Sequence, residues 1–194
     1  MVKRQPLPPH AQKVFTGELF SVYQWEQQLF DGSTATFEKI TRADSAGVLA
    51  VTNRGKILLT RQEQPGISQF VSLVGGIIDP GEIPLAAARR ELLEETGCEA
   101  EDITEWFAVQ PFSKIDWTIY MYIARGCVQV AEPQPDPGER ITVFEVGLDE
   151  FMEIIFREEF RDVTTTLHIA KMLLQPNGKQ ELASLLGLNS ATPN

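Results

Sequence analysis

Three glutamates, Glu91, Glu94 and Glu95, lie close together in Arg89-Arg90-Glu91-Leu92-Leu93-Glu94-Glu95-Thr96-Gly97. On an α-helix, at about 100° per residue, they fall within an arc of roughly 100°. Leu85, Ala88, Leu92 and Thr96 fall on a neighbouring arc that can face a core. Glu91 and Glu95 are like-charged i,i+4 neighbours, which costs a helix about 0.2–0.5 kcal/mol. Glutamates near a helix C-terminus also oppose the macrodipole. A hard divalent cation gives such a cluster a use, because magnesium takes oxygen ligands and commonly joins carboxylates to substrate phosphates. Taken alone, the same residues also describe a solvated face on which Arg90 and Glu94 form an ordinary i,i+4 pair.

The elements around the cluster can be read from their punctuation. Phe70 to Val74 is a short apolar strand ending at Gly75-Gly76, and Asp79-Pro80-Gly81-Glu82 is a loop. Pro84 suits a first helical turn, Leu85 to Thr96 is the helix, and Gly97 stops it. Glu82 sits where a carboxylate can meet the positive helix end or an arginine. Ala46 to Val51 and Lys56 to Arg61 flank the turn Asn53-Arg54-Gly55 as a strand pair. Val14 to Gln28 and Thr34 to Thr41 read as strands joined by the turn Phe30-Asp31-Gly32-Ser33. Trp106 to Gln110, Thr118 to Ala124 and Ile141 to Val146 are further strands, and Ala131 to Arg140 an exposed loop. Leu148 to Phe156, Asp162 to Leu174 and Gln180 to Leu188 read as helices. Strands with helices interspersed indicate an α/β or α+β sandwich.

Composition limits the function classes. The 194 residues carry a net charge of −10, which disfavours sequence-independent nucleic-acid binding. A small anionic substrate remains compatible, since a metal ion supplies local positive charge. No apolar run is long enough to span a bilayer, and no apolar segment follows Lys3-Arg4 as a signal peptide would require. Cys98 and Cys127 suit neither a zinc site nor a disulfide framework, and read as two reduced thiols of a cytoplasmic protein. His10 and His168 are not catalytic candidates.

The segment from Gly76 to Cys98 resembles the Nudix box. Gly76 is followed after five residues by Glu82, then after seven by Arg90-Glu91-Leu92-Leu93-Glu94-Glu95-Thr96-Gly97-Cys98. Every fixed position is filled, with Cys98 as the final apolar residue. The resemblance implies a Nudix fold, a mixed β-sheet sandwiched between helices with an N-terminal antiparallel β hairpin or sheet. It implies a hydrolase of nucleoside diphosphate-linked small molecules that uses Mg2+, or Mn2+. By position, Glu91 and Glu95 are the principal metal ligands, Glu94 assists, and the Gly75 carbonyl is a backbone ligand. Arg90 and Glu82 pair and fix the loop.

Weaker similarity extends over residues 14–175, toward the branch that cleaves ADP-ribose and nucleoside diphosphate sugars. Val22 to Gly32 resembles its N-terminal region, Arg61-Gln62-Glu63-Gln64-Pro65 its Arg-Gln-Tyr-Arg-Pro segment, and Glu158 to Thr166 the approach to its late helix. Residues 1–12, rich in Pro, read as a flexible tail and 189–194 as a polar C-terminal tail; the resemblance implies 44–188 as the hydrolase domain, a homodimer, and 13–43 as an N-terminal β subdomain that the branch often exchanges between subunits. It implies Arg61, Gln64, Phe20 and Trp25 as substrate-binding residues, the two aromatics also reading as core. Glu139 is the candidate base or further ligand, or else a solvated loop glutamate. Gln64 stands where an arginine is usual, Glu38-Lys39 near where another is found, and Ser72 in place of a glutamate. Gln110 to Trp117 replaces a Ser-Pro-Gly-like segment, and Lys114, Asp116 and Trp117 can shape a different pocket there. The alternatives are hydrolysis of a dinucleotide or nucleoside triphosphate, and a non-catalytic Nudix-like ligand sensor.

Overall fold

The structure is a computed structural model that describes residues 6–188. The expected C-terminal tail lies outside the described residues, as do residues 1–5 of the N-terminal one.

The chain forms β1 (Gln12–Thr16), β2 (Ser21–Gln28) and β3 (Thr34–Thr41), then β4 (Ser45–Thr52), β5 (Ile57–Gln64), β6 (Ile67–Ser72) and β7 (Val74–Ile77). Helix α1 (Pro84–Thr96) follows, then β8 (Cys98–Glu99), β9 (Asp102–Val109), β10 (Ile115–Asp116), β11 (Ile119–Gln129) and β12 (Arg140–Val146). Helices α2 (Leu148–Ile154), α3 (Val163–Leu173) and α4 (Gly178–Leu185) complete it. A small sheet has the order β1-β2-β3-β10, and a large mixed sheet the order β12-β5-β4-β11-β8, with β6 on β5, β7 on β4 and β9 on β11. Strands β4 and β11 run parallel.

Alternation in the central strands builds a core on each face of the large sheet. Leu49, Val51, Ile57, Leu59, Met121 and Ile123 join Phe151, Ile154, Ile169 and Leu182 of the three later helices. Val48, Ala50, Leu58, Tyr122 and Ala124 pack on Ala87, Ala88 and Leu92 of α1. Central strands covered on both faces are apolar at almost every position, which is why β4 reads as a continuous hydrophobic run. The outcome is the expected α+β architecture, a mixed sheet between helices with the antiparallel N-terminal strands β1–β3 beside it, which β10 joins in parallel.

Two expected strands break. Val14 to Gln28 is interrupted because the Gly17 N–H donates to the Phe20 carbonyl at 2.8 Å, turning β1 back on β2. Phe70 to Val74 is interrupted at Leu73, whose N–H donates to the Asp162 carboxylate at 2.7 Å instead of to a neighbouring strand. Gly75 and Gly76 therefore lie inside β7 rather than after a strand, opposite Gly47 and Ala46. The short pairs made by β8 and β10 have no clear sequence signal. No helix among the described residues is long and apolar enough to cross a membrane.

Candidate active site

Helix α1 has no side-chain N-cap. Pro84 opens it with its φ already set, and Gly97, at φ 68°, closes it with its N–H on the Leu93 carbonyl. Ala87, Ala88 and Leu92 bury one face. That burial leaves Arg90, Glu91, Glu94 and Glu95 along the side facing β7 and the loop before the helix.

Arg90 ties this loop to the helix. Its Nε and Nη2 donate to the two Glu82 carboxylate oxygens at 3.1 and 3.0 Å, and Nη2 also donates to the Ile77 carbonyl at 2.9 Å. Its Nη1 donates to Glu91 at 2.8 Å and Glu94 at 2.9 Å. Glu82 accepts a further bond from the Asp79 N–H. Hydrogen bonds from Arg90 hold the Glu82 carboxyl below its ordinary pKa, and its carboxylate partners, Glu82 first, raise that of the guanidinium.

The two glycines let the helix carboxylates approach the strand. A Cβ on Gly75 would strike the Ala46 carbonyl and come within 2.8 Å of the Gly47 Cα, and its φ of 152° disfavours any side chain. A Cβ on Gly76 would collide with the Glu91 carboxylate. Glu95 turns to the same strand, where Gly75 N–H donates to it at 3.4 Å.

Glu95 is 4% exposed. Burial, followed by the charge of Glu91, pushes its pKa up to about 9, with Glu139 and Asp162 adding to the repulsion. Burial also raises Glu91, with Glu94 and Glu139 contributing against the lowering by Arg90. Glu139 is raised by burial and by Asp136, while Gln64 donates to it at 2.8 Å. Glu91, Glu139 and Asp162 thus surround Glu95 with negative charge, and of these carboxylates Arg90 pairs with Glu91.

Hard oxygen donors in an excess of negative charge suit a divalent cation. Among the described residues, no three His, Cys, Asp or Glu side chains converge as a closed ligand set. Glu91 and Glu94 are instead turned onto Arg90, and Glu95 onto Gly75.

The other sequence candidates are more dispersed. Arg61 lies over the Phe144 ring at 5.3 Å. Gln64 and Glu139 share a cavity of about 360 Å3 with Pro65 and Pro137. Phe20 is under the Arg42 guanidinium at 5.7 Å. Trp25 packs on Phe37 in the small sheet and lines a separate cavity with His10 and Gln12.

Sequence reasoning passed over Asp162 as a site residue. Enclosed by protein but lining a cavity wall, it has its pKa raised by burial to about 6. The folded chain therefore holds a proton that the unfolded chain releases between 3.8 and about 6, so this group's contribution to stability falls as pH rises through that window. Asp162→Asn keeps an acceptor for Leu73 and removes the charge. It is expected to melt at or above wild type at pH 7, with a shallower pH slope. Asp162→Ala strands the Leu73 N–H and is expected to cost about 2 kcal/mol. Thermal melts at pH 4.5 and 7 compare them, and equal behaviour of the two variants would exclude this role.

A family model described as the NUDIX domain matches residues 41–167. A methanol dehydrogenase activator from Bacillus methanolicus is 30% identical over 170 residues, 85% of this chain and 91% of that protein. An ADP-ribose pyrophosphatase from Bacillus subtilis (strain 168) is 27% identical over 169 residues, 84% of this chain and 90% of that protein. A crystal structure of an ADP compounds hydrolase superposes with a TM-score of 0.71 at 21% identity, covering 91% of this chain and 97% of the other, a likeness of fold.

Proposed function

The chain belongs to the Nudix family and is a Nudix hydrolase; from that premise we propose that it cleaves the diphosphate bond of ADP-ribose or a nucleotide sugar, releasing a nucleoside monophosphate and a sugar phosphate. The observation that carries the reading is the buried carboxylate field at Gly75–Gly76, where Glu95 is pushed up to about 9. Such a field is unfavourable in a protein with no cation to place there. The ADP-ribose pyrophosphatase among the relatives supports the substrate class.

In this reading Glu91, Glu94, Glu95 and the Gly75 carbonyl would hold Mg2+ or Mn2+. Bound there, the cation supplies charge that polarises the diphosphate and acidifies water. Glu139, made more basic by burial, takes the proton of the attacking water. Arg90 and Glu82 hold the loop and so keep the Gly75–Gly76 backbone in place. Arg61 and Gln64 lie along the strand leading to Glu139, where they can meet the substrate. The reading includes a cytoplasmic setting, supported by the free thiols of Cys98 and Cys127. It also includes a homodimer through the small sheet, whose β1 is exposed along its whole length and which carries Phe20 and Trp25 beside it. A solution mass of one chain would exclude the dimer.

Product analysis over ADP-ribose, nucleotide sugars, dinucleotides and nucleoside triphosphates tests the reaction. Nucleoside monophosphate should form from the first two classes in magnesium and not in chelator. A strong preference for triphosphates or dinucleotides would replace this substrate assignment with the corresponding one.

A further inference from the structure

A cavity of about 390 Å3 opens beside Gly75 and Gly76, large enough for one ring system and its sugar. Its walls are mostly apolar, with Phe70, Met121, Phe112 and Trp117 prominent. Trp117 is held on two sides. Its indole N–H donates to Ser45 Oγ at 3.0 Å, and the Arg42 guanidinium lies over its ring at 4.5 Å. Phe112 stacks near it at 6.5 Å and 19°. A tryptophan fixed in this way offers a flat wall at little further entropy cost.

Of the polar side chains that line it, Asp162 accepts from the Leu73 N–H, Arg161 lies over the Phe70 ring, and Ser45 and Ser72 are bonded to Trp117 and Thr60; Gln62, 5% exposed, lines it as well. Its orientation follows from counting protons. The Thr60 hydroxyl donates to the Ser72 carbonyl at 3.2 Å, which uses its single proton. Thr60 Oγ must then accept from its other neighbours, the Ser72 hydroxyl at 2.9 Å and Gln62 Nε2 at 3.1 Å. The carboxamide nitrogen is therefore turned to Thr60. Its oxygen, engaged by no protein donor, is left to the cavity. There it is open to a donor that a ligand brings.

We propose that Gln62 and Trp117 determine specificity, making this cavity a subsite for a planar nucleobase that carries an amino group, stacked on Trp117 and donating its amine to Gln62 Oε1. The inference rests on the proposed reaction, which places the diphosphate at the adjoining glutamates and the attached nucleoside across Gly75–Gly76. A base with an oxo group in place of the amine would meet the Gln62 oxygen with a second acceptor and be disfavoured. A bare sugar would leave the aromatic wall unused.

The test uses matched substrates, ADP-ribose against its hypoxanthine counterpart and CDP-glucose against UDP-glucose. Wild type is expected to favour the amino member by roughly tenfold or more in kcat/KM, the effect of one mispaired buried polar group. The pair with the larger preference tells purine from pyrimidine. Gln62→Met should bring the favoured pair within about twofold by lowering the amino member alone. Trp117→Leu, a second variant remote from the Thr60 cluster, should raise KM for both members together. No preference in wild type, a preference for the oxo base, or equal loss on both members in Gln62→Met would overturn the proposal while leaving the hydrolase reading intact. If no diphosphate is cleaved, the hydrolase reading fails. Quenching of tryptophan fluorescence by adenosine against inosine, and cytidine against uridine, in chelator then decides the subsite, which equal or absent quenching in both pairs would exclude.

Discussion

Glu95→Gln is expected to lower turnover by about a thousandfold while leaving the metal-free protein as stable as wild type or more so. A ligand carboxylate that places a divalent cation against a diphosphate supports several kcal/mol of charge stabilisation, and each 1.36 kcal/mol is about a decade in rate. Stability should move the other way. Glu95 is buried among Glu91, Glu139 and Asp162, and its charged form is disfavoured to the point that its pKa is pushed up to about 9. Glutamine has nearly the same shape and no charge, so it removes a desolvation cost and can still accept from the Gly75 N–H. In chelator the variant should melt no lower than wild type, by differential scanning calorimetry. Magnesium should raise the melting temperature of wild type more than that of the variant, because binding only to the folded state stabilises it. Turnover near wild type on a substrate that wild type cleaves would remove Glu95 from the site. A lowered metal-free melting temperature would show a structural role instead.

Legibility in the sequence followed the range of the interactions. Helix α1 could be read almost to the residue because Pro84 and Gly97 mark its ends by their own backbone restrictions. The turn Asn53-Arg54-Gly55 that joins β4 to β5 was equally local. The break at Leu73 was not, because it comes from Asp162, which is 89 residues away. A Leu-Val pair in an apolar run carries no sign that a distant carboxylate takes one of its N–H groups. The grouping of Arg90 with Glu82 comes from a short loop and a fixed motif, whereas the turning of Glu91 and Glu94 onto the same arginine is a matter of rotamers. Gln62 was quoted in a motif and given no role. Its clue was present but faint: Thr60 and Gln62 alternate as polar residues on a strand that begins Ile57-Leu58-Leu59. Burial of such a pair calls for partners, but only the pairing of β5 with β6 identifies Ser72 as one of them.

The two glycines of β7 are expected to respond differently to the same substitution, and the difference separates fold from chemistry. Gly75→Ala would drive a methyl into the backbone of β4, at Ala46 and Gly47, from a φ that alanine avoids. Backbone cannot give way there without unpairing β7, so this variant should lose stability by several kcal/mol or fail to fold. Gly76→Ala meets no backbone obstacle of that kind. Its methyl strikes the Glu91 carboxylate, the far end of a flexible side chain that can swing aside. Its melting temperature should therefore stay close to wild type. The displaced Glu91 carboxylate, however, can no longer lie where the strand and helix now place it. A misplacement of about 1 Å in a reacting constellation can cost on the order of a hundredfold. Gly76→Ala should accordingly show near-normal unfolding with kcat reduced to about a hundredth, and metal affinity reduced with it. Isothermal titration with manganese alone reads the affinity independently of turnover. Unchanged kcat and unchanged manganese binding in a folded Gly76→Ala protein would mean that Glu91 does not act from its observed position, and that its contact with the strand serves packing alone.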